Sequence, residues 1–168
     1  MGHTDYLNEK IEGSSVMMMV SESLRVALLT EHLSLSKVTS SISKDLVENR
    51  TKSIHKTLQL DFNIHHPKIA MLSIDPHAGD NGVIGNIDNM VLTPCINFMK
   101  KEGMLVDGPF PADSFFGSMK YKEFDAVIAS YHDQGLIPFK TLSFGKGVNF
   151  TSGLKYIRTS PDHGTAYE

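Results

Sequence analysis

The chain has 168 residues, 40% of them apolar and 21% charged, with a formal charge of -3. That length suits one domain with a real core, the acidic balance argues against a nucleic-acid partner, and no apolar run is long enough to span a bilayer. One cysteine, Cys95, excludes an internal disulfide and a thiolate-rich metal site, while eight histidines leave imidazole and carboxylate as the metal-binding repertoire. With no secretory-type opening, a cytoplasmic setting is expected.

In chain order, Val16 to Val20 and Arg25 to Thr30 are apolar runs joined by SESL, which predicts a hairpin or two neighbouring strands. Ser43 caps a predicted helix whose apolar stripe is Leu46, Val47, Ile54, Leu58 and Phe62, with His66-Pro67 as its stop. Its other face, Lys44, Glu48, Arg50, Lys52 and Lys56, reads as solvated surface. KIAMLSI, Lys68 to Ile74, is a continuous apolar strand that runs into DPHAGDNG. A second helix is predicted over Ile87 to Lys101, kinked at Pro94. GMLVDGPFPAD is strand and then loop, Ala112 to Met119 a short helix, and FDAVIAS the next buried strand. After HDQGLIPFK, read as a polar loop with a helix start as its plainer alternative, GVNFTSG and KYIRTS are two short strands. The alternation predicts an α/β fold, a layered mixed sheet flanked by helices. The whole of residues 1–168 is expected to be a single α/β piece. Its polar ends, MGHTDYL and HGTAYE, suggest a fragment of a longer protein.

Three predicted strands each lead to a histidine: RVALLT to Glu31-His32, KIAMLSI to Asp75-Pro76-His77, and FDAVIAS to Ser130-Tyr131-His132-Asp133. Loops at the carboxyl ends of parallel strands line the ligand crevice in open α/β sheets. His32, His77 and His132 would then share one edge, and three neutral imidazoles hold a divalent cation with positions open for substrate. Each histidine alone is equally a solvated or hydrogen-bonded loop residue, so the residues leave both readings open. Asp133 is placed by adjacency to orient an imidazole or shuttle a proton. Lys140, Asn149 and Arg158 follow, as anion-binding groups or as ordinary surface residues. DPHAGDNGVIG is neither a P-loop nor a dinucleotide fingerprint; it is either an anion cradle or a plain glycine-rich connection. The methionine triplet at 17–19 reads as core filling and Cys95 as a small buried hydrophobe.

GHTDYL, TEHLSL, DPHAGDNG, GPFPADSFF, YHDQGLIPFK and GVNFTSGLKYIRTSPDHGTAYE occur in this order, and together they resemble the 4-hydroxythreonine-4-phosphate dehydrogenase family over essentially the whole chain. YHDQG and RTSPDHGTA carry most of the specificity. The resemblance implies a fold like the isocitrate and isopropylmalate dehydrogenases. It implies His32, His77 and His132 as ligands of a divalent metal, zinc first, with magnesium or cobalt as alternatives. It implies Lys140, Asn149 and Arg158 as substrate-binding residues; Lys140, and by its adjacency Asp133, are taken as catalytic. His163, Gly164, Thr165 and Ala166 would face NAD, and the substrate would be a small phosphorylated hydroxy-amino acid. The implied activity is NAD-dependent oxidation and decarboxylation of 4-phosphooxy-L-threonine in vitamin B6 biosynthesis, performed by a homodimer with a shared active site. The family's N-terminal half, with a His-Thr pair that touches substrate, has no counterpart here, so this piece alone is expected to be inactive. Two departures stand out: HLSL lacks a proline usual in its third place, and Gly85-Asn86-Ile87-Asp88 keeps only one acidic residue. Alternatives are a non-catalytic metal-binding or dimerising module, or a phosphate acyltransferase of the same superfold.

Overall fold

The computed structural model describes residues 15–143, 145–153 and 158–161. The predicted hairpin forms: β1 (Val16–Val20) pairs antiparallel with β2 (Arg25–Leu28), Met18 opposite Ala27. Ser21 closes the turn, its Oγ accepting the Leu24 N–H. With β3 (Lys68–Leu72), β4 (Leu105–Phe110), β5 (Ala126–Ala129), β6 (Val148–Ser152) and β7 (Arg158–Pro161), the described strands make a seven-stranded sheet in the order β4-β3-β5-β2-β1-β6-β7. β4, β3, β5 and β2 run parallel, whereas β1, β6 and β7 alternate in direction. The mixed layered α/β fold is therefore present. Its consequence is directional: β2, β3 and β5 all end at one edge, where the three histidine-bearing segments begin.

Strand alternation divides the core between the two faces. On one, Met18, Ala27, Ile69, Met71, Val106 and Ile128 pack against α2 (Lys44–Leu60) through Val47, Ile54 and Leu58, and against α3 (Thr93–Lys101) through Ile96 and Met99. On the other, Val26, Leu28, Ala70, Leu72, Val127 and Ala129 meet Phe115 of α4 (Ala112–Gly117) and Leu136 and Phe139 of α5 (His132–Ser143). The methionine triplet serves both faces, Met18 on the first and Met17 and Met19 on the second. It is core filling, as predicted.

Several elements differ from the sequence-based expectation. A short α1 (Leu35–Ser41) precedes α2 and carries only one buried residue, Val38, so it has almost no apolar stripe to find. Ser43 does cap α2, its Oγ accepting the Leu46 N–H at 3.2 Å. α2 ends at Leu60, before His66-Pro67, and Asn63 turns the chain with φ 55. Arg50, read as solvated, is folded inward onto Glu31. The predicted kink at Pro94 takes another form: a π-helical segment, Asp88–Leu92, runs directly into α3, whose second residue is Pro94. HDQGLIPFK is the opening of α5 rather than a loop. Among the described residues no helix is long and apolar enough to cross a membrane.

Candidate functional site

His132 is the first residue of α5, immediately past the end of β5. The helix lies low on the sheet because residue 135 is glycine. A Cβ there would stand 2.8 Å from Val26 Cγ1, 2.9 Å from Leu28 Cδ2 and 3.0 Å from Ala129 Cβ. His132 Nδ1 lies 2.8 Å from Asp133 Oδ1, which places the ring proton on Nδ1 in the neutral form and leaves the Nε2 lone pair available. Its ring centre is 6.1 Å from that of His32, which follows β2.

The stem behind His32 is held by charge. Arg50 and Glu31 pair at 2.8 Å with side chains 18% and 7% exposed. Arg50 also donates to the Leu28 carbonyl, and Glu31 accepts the Met17 N–H, so α2, β2 and β1 are joined one residue before His32. Removing either partner would leave the other charge buried without its counterpart.

His77 is presented differently. From His77 to Asn81 five consecutive residues have positive φ: 54, 52, 79, 43 and 53 degrees. Left-handed conformation costs an L-residue with a Cβ roughly 1–2 kcal/mol, so such a run persists only where its surroundings enforce it. Those surroundings are visible. The Gly79 carbonyl accepts the Ile84 N–H at 3.1 Å, and the Asp80 carbonyl accepts that of Val83 at 3.0 Å. Gly79 passes against the Gly85 carbonyl, and Gly85 against the Asp75 carboxylate, both too closely for a Cβ. Asp88, fully buried, accepts the Ile74 N–H at 2.8 Å and the Asp75 N–H at 3.0 Å, one with each carboxylate oxygen. Burial pushes the Asp88 carboxyl above its ordinary value and the charge of Asp75 adds to this, while the two backbone bonds oppose it.

His77, with Asp75, Asp113, Tyr131 and Gln134, lines a cleft of about 310 Å³, and His32 lines a separate hollow of about 310 Å³ with Glu31 and Arg50. The first cleft adjoins an apolar groove between α4 and α5, of about 470 Å³, that includes Phe116, Ile137 and Leu142. Two of the three predicted ligands are thus brought together. Among the described residues, no group of three His, Cys, Asp or Glu side chains is arranged to hold a metal ion. The His32–His132 rings approach the spacing of a ligand pair. With metal–nitrogen bonds of about 2.0–2.1 Å, two imidazole centres on a common ion stand roughly 5–6 Å apart, close to the observed 6.1 Å.

The other predicted residues scatter along the fold. Lys140 is exposed, eight positions along α5 from His132, a rise of roughly 12 Å away from the histidine edge. Asn149 sits near the start of β6 opposite Met19, toward the far edge of the sheet. Arg158 opens β7 opposite Thr151, itself paired with Met17, so its backbone stands at the histidine edge. His163, Gly164, Thr165 and Ala166 lie outside the described residues. Sequence reading missed Asp88, Gln134 and the Glu31–Arg50 pair as supports. Gln134 carried a signal as part of YHDQG and Glu31 as part of TEHLSL, and Asp88 stood out only as the one acidic residue of its segment. Cys95 is buried on α3, its thiol pushed up to about 11 by burial and, next, by the Glu48 charge, so it is not a nucleophile.

A sequence model of the family described as pyridoxal phosphate biosynthetic protein PdxA matches residues 1–168. The 4-hydroxythreonine-4-phosphate dehydrogenase of Bacteroides thetaiotaomicron is 43% identical over 99% of this chain and 46% of its own length. That of Neisseria meningitidis serogroup A is 45% identical over 99% of this chain and 51% of its own. The crystal structure of 4-hydroxythreonine-4-phosphate dehydrogenase from Klebsiella pneumoniae superposes with a TM-score of 0.88 at 38% identity, covering 98% of this chain and 50% of that one. The chain therefore spans about half the length of the curated relatives it matches.

Proposed function

The chain belongs to the PdxA family of pyridoxal phosphate biosynthetic proteins, and from that premise we propose that it supplies the metal- and substrate-binding half of a 4-hydroxythreonine-4-phosphate dehydrogenase. The reaction proposed for the complete enzyme is NAD-dependent oxidation of 4-phosphooxy-L-threonine at its secondary alcohol, followed by loss of carbon dioxide. A cytoplasmic setting goes with it. The observation that carries the metal reading is the His32–His132 pair, 6.1 Å apart, with Asp133 on the inner nitrogen of His132.

A divalent cation, zinc first, would supply Lewis acidity to the substrate carbinol and to the charge left by decarboxylation. His32 and His132 would hold it with His77. Asp133 keeps the imidazole proton on Nδ1 of His132, which leaves the Nε2 lone pair free to bind a metal. Lys140, Asn149 and Arg158 are proposed to bind the anionic ends of the substrate, and their charge and hydrogen bonds would orient the carbinol toward NAD. His163 to Ala166 are proposed to face the NAD adenosine.

The separation of His77 and Lys140 from the His32–His132 pair fits a site completed by a second copy. Leu35 is 70% exposed, Val83 81% and Ile84 50%, all beside the histidine-bearing segments. Exposed apolar groups at the edge of a site are candidates for an interaction surface. We therefore propose a homodimer with a shared site, and little or no turnover from this chain alone. Sedimentation of a strict monomer at all concentrations would remove the dimer.

The test of the metal reading is a calorimetric titration with zinc and cobalt. Saturable binding at neutral pH is expected, weakening in acid as imidazole ligands take up protons. His132→Ala should lower the affinity at least tenfold, since it removes one ligand outright. A native chain that takes up no divalent ion at neutral pH would overturn the proposal.

A further inference from the structure

We propose that Gln134 is a positioning residue whose carboxamide sets the spacing between the β5 and β3 exits, and hence of His132 from the segment that carries His77. Its functional meaning rests on the metal reading above; the positioning itself does not.

The β3–β5 ladder pairs Ile69 to Met71 with Ala126 to Ile128 and then stops. Side chains continue it. Ser130 Oγ donates to the Leu72 carbonyl at 3.4 Å. One step further, Gln134 Oε1 accepts the Ser130 N–H at 2.7 Å while its Nε2 donates to the Ser73 carbonyl at 2.7 Å. Thr30 Oγ1, two residues before His32, donates to the Ser130 carbonyl at 2.7 Å. On the far side Ser73 Oγ donates to the Asp75 carbonyl at 2.9 Å, and Asp88 takes the next two backbone donors. All three histidine-bearing exits therefore hang on one run of hydrogen bonds, and Gln134 supplies the shorter of the two side-chain links that cross from the β5 exit to β3, beside that of Ser130 Oγ.

The link needs a donor and an acceptor on one side chain of this reach. A carboxylate has no donor and would set its oxygen against the Ser73 carbonyl. Asparagine is one methylene short. Gly135 lets the first turn of α5 lie close enough to the sheet for the carboxamide to reach both strands.

The experiment compares Gln134→Glu and Gln134→Met with the native chain by two readouts: cobalt titration, and the ring signals of the histidines in proton–carbon NMR of the metal-free chain. Both variants should bind cobalt about 10–100-fold more weakly, the usual effect of losing a group that orients a ligand. Without metal, the His77 and His132 ring signals should shift while those of His65 and His66 stay. Thr51→Val serves as control, because it removes a buried hydrogen bond within α2, from Thr51 Oγ1 to the Val47 carbonyl, away from the exits. It should leave cobalt affinity native. Unmoved ring signals in both Gln134 variants, or native cobalt affinity in both, would overturn the proposal. So would an equal loss of affinity in Thr51→Val, which would mark general destabilisation. A native chain that binds no cobalt sinks the metal reading instead, and the ring signals then decide the role of Gln134 alone.

Discussion

The exits of β3 and β5 perform one task, presenting a histidine at the same edge of the sheet, by opposite means. At β5 the chain passes into a regular helix, and His132 takes its place from the axis of α5 and the close packing allowed by Gly135. At β3 the chain winds left-handed for five residues, and His77 takes its place from a conformation that an isolated chain would abandon. The first design is local and low in strain. The second stores strain and depends on a buried carboxyl group, that of Asp88, to hold its entry. Strain of this kind collects at functional sites because the surrounding structure must over-determine it.

The comparison breaks most sharply at Asp88. Asp88→Ala leaves two backbone N–H groups without partners at about 1–3 kcal/mol each, so a loss of roughly 2–6 kcal/mol is expected in urea unfolding. A loss no larger than that of an exposed Asp→Ala would show that the β3 exit needs no anchor. The same carboxyl gives a pH test. Its folded value is raised above the ordinary 3.8, so the protonated form is the better fit to the fold. The contribution is fully present below 3.8 and is lost as pH rises through the raised folded value. The stability of the native chain relative to Asp88→Asn should therefore fall across that window and be level above it; a difference that rises with pH there would contradict the sign.

Gly135→Ala comes next. The added methyl presses on Val26, Leu28 and Ala129, and of these the Ala129 Cβ has no rotamer by which to yield. Overpacking of this kind costs about 1–3 kcal/mol, and here it should also lift the first turn of α5 and weaken cobalt binding. Unchanged stability would mean that α5 has slack against the sheet. The smallest effect is a gain. Ala78 has φ 52, so Ala78→Gly removes left-handed strain and should stabilise by up to about 1 kcal/mol, less the extra chain entropy of glycine. The same change at a right-handed position, Ala112 in α4, should destabilise instead. Stabilisation at neither site would show that the left-handed run is not strained.

The elements differ in how openly they were written. α2 was legible because Ser43 caps it and Val47, Ile54 and Leu58 repeat at helical spacing. The strands were legible because a strand buried on both faces is a continuous apolar run, as KIAML and AVIA are. α5 was not, because its first turn is polar and glycine-containing, and its apolar contacts, Leu136 and Phe139, come only later. Arg50 looked like one more charge on a solvated face until the sheet brought Glu31 beneath it.

For this chain, the sequence by itself determined the family, the α/β order of elements and the placement of three histidines after three strands, because motifs and periodicity are local properties of the chain. Which histidines meet, which way the β3 exit winds, and which buried groups hold the exits apart were decided only in three dimensions. The ring contact joins His32 to His132, and the Gln134 and Asp88 bonds join residues from 4 to 61 positions apart. No local pattern encodes such contacts; they exist once parallel strands stand side by side and the groups beyond their ends must find partners.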